Sequence, residues 1–117
     1  MQTEITTEYI RKLQQSFRER AWTGVLNCVE AINPSLPRVH QALLEEIRKH
    51  PTATQYTVHI GSICVDGLPP EDIHADELKE KFLDCYSAWM DRYVPSAHVE
   101  VKLGYPCVEL YFVFSLL

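Results

Sequence analysis

The chain has 117 residues, 46% of them hydrophobic and 23% charged, with a formal net charge of −5. That length fits one compact domain, residues 1–117, large enough to bury a core without disulfides or metals. The acidic balance argues against a nucleic-acid-binding face, and no apolar run reaches the roughly 18 residues that a membrane-spanning helix needs.

The charge is uneven. Residues 1–50 carry seven Lys/Arg against six Asp/Glu, and residues 51–117 carry four against ten. The acids gather between Asp66 and Asp84, which suits a basic protein partner. The first residues, MQTEITTEY, lack the basic and apolar regions of a signal peptide, and a cytoplasmic location is expected. Cys28, Cys64, Cys85 and Cys107 form no C-x-x-C pair and no Cys/His ladder, so reduced thiols and no bound cofactor are expected.

In chain order, Glu4 to about Arg20 reads as a helix. Ile5, Tyr9, Leu13 and Phe17 recur at spacing four with Ile10 beside them, and Arg11, Lys12, Gln14, Arg18 and Glu19 form the solvated opposite side. Trp22 and Gly24 mark a bend, and Thr23 is placed to cap a short second segment carrying Val25, Leu26, Val29 and Ile32. Whether this is one kinked helix or two is open. Asn33-Pro34-Ser35 ends it. Ser35 caps the next helix, with Pro37 in the first turn and Leu36, Val39, Leu43 and Ile47 as its stripe, until Pro51 stops it.

Thr54 to Val65 alternates as a strand, with a bulge or bend at Gly61-Ser62. Asp66 to Pro70 is a loop. Ala75 to about Tyr93 is a helix with Leu78, Phe82, Cys85, Tyr86, Trp89 and Tyr93 on one side. Cys85 on that stripe is expected to be buried, leaving Cys107 as the exposed thiol. His98 to Leu117 alternates as a hairpin. A two-residue loop at Gly104-Tyr105 would need an amide that Pro106 lacks and would set Glu100 against Glu109. A four-residue loop instead sets Lys102 opposite Glu109, as a cross-strand ion pair, Glu100 opposite Tyr111 and His98 opposite Val113. The expected fold is α+β, in the order helix-helix-strand-helix-strand-strand. A small mixed three-stranded sheet carries its helices on one face, with strand order left open.

No catalytic spacing motif occurs, so candidate function rests on surfaces. The uncovered sheet face should carry His59, His98, Glu100, Glu109 and Tyr111. The loop and the start of the helix that follows should carry an acidic patch at Asp72, Asp76 and Glu77. These point to a non-catalytic protein-binding module of adaptor, inhibitor or immunity type, or to a homodimer formed through that face or a sheet edge. One alternative is a small metal-dependent enzyme or metal-binding protein using His59, His98 and Glu100 or Glu109, which requires the first strand beside the His98 strand. A second alternative is a self-assembling structural subunit.

Overall fold

The computed structural model describes residues 4–117. The first helix, α1 (Thr7–Val29), runs unbroken through Gly24. Thr6 caps it, its hydroxyl accepting from the Tyr9 amide at 3.1 Å. Thr23 does not start a new helix. Its hydroxyl donates one turn back to the Glu19 carbonyl at 3.0 Å, which leaves the backbone helical.

A tight turn follows, in which Asn33 adopts a φ of 46°, a left-handed conformation that asparagine tolerates. The Asn33 amide donates to the Tyr86 hydroxyl at 3.1 Å, and that hydroxyl donates to the carbonyls of Val29 and Glu30. One tyrosine thus ties down the end of α1. The second helix, α2 (Leu36–Lys49), has Ser35 at its cap position without a side-chain capping bond, and a proline in its first turn. The third, α3 (Ala75–Tyr93), follows a single 3₁₀ turn at Pro70–Asp72. No helix is long and apolar enough to cross a membrane among the described residues.

The strands are β1 (Gln55–Cys64), β2 (Ala97–Lys102) and β3 (Cys107–Ser115), in the spatial order β1-β3-β2. Both ladders are antiparallel, so the sheet is antiparallel throughout rather than mixed. The crossover does make β1 parallel to β2, but the two lie on opposite edges. β3 sits between them because it carries Val108, Leu110 and Phe112, each at 0% exposure, and the most apolar strand belongs in the centre. The hairpin register is the expected one: His98 faces Val113, Glu100 faces Tyr111 and Lys102 faces Glu109.

All three helices lie on one side of the sheet. Val58, Ile60, Ile63, Val99, Leu110 and Phe112 meet Val29, Val39, Leu78, Phe82 and Met90 in one core cluster. Phe112 anchors it, stacked on Trp89 at 6.0 Å between ring centres and edge-on to Phe82 at 5.9 Å.

The molecule is elongated, 67 × 25 × 22 Å with a radius of gyration of 18.5 Å, whereas a compact domain of this length would have about 13 Å. The departure lies with α1. Only Val25 and Val29 of that helix are buried, while Ile10, Leu13 and Phe17 stay 45%, 41% and 63% exposed. The stripe that periodicity marks in its first half therefore faces solvent, and the helix docks instead through Arg18, Trp22, Val25 and Val29.

Candidate functional site

The uncovered sheet face carries the residues that strand parity assigns to it. Thr57, His59, His98 and Glu100 are exposed, and Glu109 and Tyr111 are half-buried. Val113, in the central strand on this same face, is 1% exposed, sheltered between its register partners Thr57 and His98.

The bulge in β1 shapes this face. The register shifts between His59 and Gly61, so Ile60 is an extra residue in the ladder. Before the shift the odd positions face outward, and after it the even ones do. Ser62 thus joins His59 on the outer face, opposite Glu109. Gly61 allows the bulge to lie against the turn after α1, because a β-carbon there would sit 3.3 Å from the Ile32 side chain.

Three side chains converge at the bulge. The His59 Nε2 lies 2.5 Å from the Glu109 carboxylate, the Ser62 hydroxyl donates to the same carboxylate oxygen, and Ser62 Oγ is 3.3 Å from His59 Nε2. The Tyr111 ring meets the His59 ring edge-on at 5.4 Å. The Ser62 hydroxyl, then the His59 ring, hold the Glu109 carboxyl below its ordinary range, against a smaller opposing effect of burial. The set resembles a serine triad only in composition. A relay needs serine and carboxylate on opposite imidazole nitrogens, and here both sit at Nε2. The arrangement binds β1 to β3.

The expected Lys102–Glu109 ion pair does not form. The two face each other in register, but the carboxylate turns to His59 and Ser62 across the other ladder. The proposed metal set is also not assembled. β3 lies between His59 and His98, so their strands are about 10 Å apart, and Glu100 faces Tyr111. Among the described residues, no group of three His, Cys, Asp or Glu is placed to hold a metal ion.

Two of the three acids near α3 have partners on α1. Asp72 accepts two hydrogen bonds from the Arg18 guanidinium, at 2.6 and 2.5 Å, which lowers its pKa and raises that of Arg18. Glu77 accepts from the Trp22 indole at 2.7 Å. A third clasp joins Lys81 to Glu30 at 2.7 Å. Asp76 lines a shallow cavity of about 300 Å³, shared with Lys79, His98 and Glu100 along the β2 edge.

Ser62, the docking role of Arg18 and Trp22, and the outward direction of the α1 stripe escape a reading by residue type. Ser62 needs the parity flip at Ile60. The stripe has a visible signal: at about 100° per residue, Ile10, Leu13 and Phe17 are centred about a third of a turn around the helix from Trp22, Val25 and Val29. One helix therefore carries two apolar sides. The thiols also differ from expectation, since Cys28, Cys64 and Cys85 are exposed and Cys107 is half-buried. Cys85 sits at the solvent margin of its stripe, while Leu78, Phe82 and Met90 take the core.

No protein-family model matches the chain, and no curated protein or solved structure matches it.

Proposed function

We propose that this chain is a non-catalytic protein-binding module that docks through the outward side of α1. One observation carries the reading: Ile10, Leu13 and Phe17 stand 41–63% exposed on a helix that is already anchored through another side. Contiguous exposed apolar side chains on one element mark an interaction surface, whereas scattered ones do not. The first half of α1 presents such a strip in the form that helix-in-groove recognition uses, with anchors at i, i+3 and i+7.

The acidic residues at the start of α3 take a supporting part. Asp72 and Glu77 hold α1 against the body and so set the direction in which its free half projects. Asp76, His98 and Glu100 line a separate polar surface at the β2 edge.

The test compares the intact chain with the Leu13→Glu/Phe17→Glu variant, each immobilised and exposed to lysate of the source cells. Both substituted residues are exposed, so the far-UV circular dichroism of the variant should match the parent. A protein retained by the parent and lost from the variant supports the reading. Equal retention by both, or by neither, overturns it.

A further inference from the structure

We infer that the occupant of the α1 stripe is a second copy of this chain, paired antiparallel along the helix. The inference rests on the docking role of α1 proposed above and adds the identity of the partner. Its argument begins at Gly24. A glycine inside a helix is unfavourable relative to alanine, and it persists where something needs the space. Nothing in this chain does: a β-carbon at Gly24 would meet no atom within 4 Å, and its backbone φ is not positive. Gly24 lies seven residues after Phe17, on the same side of α1.

That side is graded in size. Its first half carries Tyr9, Leu13 and Phe17, with exposed Ile5 just before the cap, and its second half carries Ala21, Gly24 and Cys28, all three exposed. Two such helices fit when they run antiparallel, with the large half of one on the small half of the other. A two-fold axis near Gln15 sets Leu13 against Phe17, Tyr9 against Ala21 and the Ile5–Thr6 turn against Gly24. Each contact then occurs twice, as an isologous pair requires. A parallel pair would set large residues on large and leave the small half unfilled.

Area and placement agree with this. The stripe offers roughly 500 Å² of apolar surface on each copy, hence about 1,000 Å² over the pair, which reaches the lower bound for a specific interface. Each body is held by Arg18, Trp22, Val25 and Val29, centred about a third of a turn around the helix from the stripe, so the stripe and the body use different sides of α1.

The deciding measurement is sedimentation velocity of the untagged full chain over a hundredfold range of concentration. The parent is compared with Leu13→Glu/Phe17→Glu, Gly24→Ala and Gly24→Leu, and thermal unfolding is recorded for each. The parent should show a monomer–dimer equilibrium, and the double variant should be a folded monomer. Gly24→Leu should weaken the dimer at least tenfold. Gly24→Ala should raise the unfolding temperature of dilute monomer, a sign that a purely internal role for Gly24 would not give.

A parent that stays monomeric at every concentration overturns the inference. If that monomer still retains a lysate protein that the double variant loses, the docking reading stands and the partner is a different protein. If it instead floats with anionic lipid vesicles, the stripe belongs to a membrane surface and both readings fall. A dimer indifferent to Leu13→Glu/Phe17→Glu has its interface elsewhere. A dimer indifferent to Gly24→Leu is not paired in this register.

Discussion

His59 and Ser62 stand three positions apart in one strand, yet both face the same side of the sheet and meet one oxygen of Glu109. In an unbroken strand they would face opposite sides. The extra residue at Ile60 brings them together, and the pair holds the β1 edge against the central strand.

The depressed pKa of Glu109 ties this contact to pH. A carboxyl that is more acidic folded than unfolded stabilises the fold above its unfolded pKa, and the contribution is lost as pH falls through the folded value. We expect the Ser62→Ala variant to unfold at a lower temperature than the parent at pH 7. The two should converge once Glu109 is protonated, at a pH below its ordinary carboxyl value. Its carboxyl carbon, followed by NMR titration, should titrate higher in the variant. An unchanged titration would show that Ser62 does not hold the carboxylate.

Gly61 should resist substitution for a packing reason. A β-carbon there sits 3.3 Å from Ile32, so that side chain must give. Gly61→Val adds further bulk at the same point and should cost about 1–3 kcal/mol in urea unfolding. Ile32→Ala in the same chain should recover part of that loss, because it vacates the space.

Phe112 is the central anchor of the core, fully buried among Phe82, Trp89 and Phe114. Phe112→Ala should cost about 3–5 kcal/mol by chemical denaturation. Val113→Ala, one residue along on the uncovered face, should cost less, because its cover is two neighbouring side chains rather than a helix layer.

The clasps of α1 should act locally. Asp72→Ala removes the acceptor of both Arg18 bonds, and Trp22→Phe removes the donor to Glu77. We expect faster amide hydrogen exchange around Arg18 to Leu26 in either variant and little change in the second half of α3. Uniform acceleration through both helices would instead mean that these bonds report global stability.

Thiol exposure gives a direct check on α3. Cys28, Cys64 and Cys85 are exposed and Cys107 is half-buried. Under native conditions three thiols should react readily with a disulfide reagent and the fourth more slowly, a ranking readable by mass spectrometry of digested protein.

Much of the architecture is legible in the residues. Pro106 has no amide to close a two-residue loop, and Glu100 repels Glu109, which together select the hairpin register found. The helix boundaries of α3 follow from Asp76 and Glu77 at one end and Pro95 beyond the other. Strand order is not legible, because the crossover fixes the direction of β1 but not its neighbour. The bulge at Gly61 is visible as a glycine in a strand, but the residue at which parity flips, Ile60, shows only in the pairing of β1 with β3. For the same reason Ser62 is hidden while His59 is not. The stripe on α1 is plain from periodicity, which reveals an apolar side and leaves open what covers it.

The central strand of the sheet is the last of the three to be made. Until it emerges from the ribosome, β1 and β2 have no neighbour, since neither pairs with the other. The helices and the first strand are synthesised onto an unfinished surface and wait there with their apolar sides uncovered. Assembly of the sheet therefore waits for β3, which pairs with both of the earlier strands. During that interval, the growing chain is at its most attractive to chaperones and to other unfinished copies of itself.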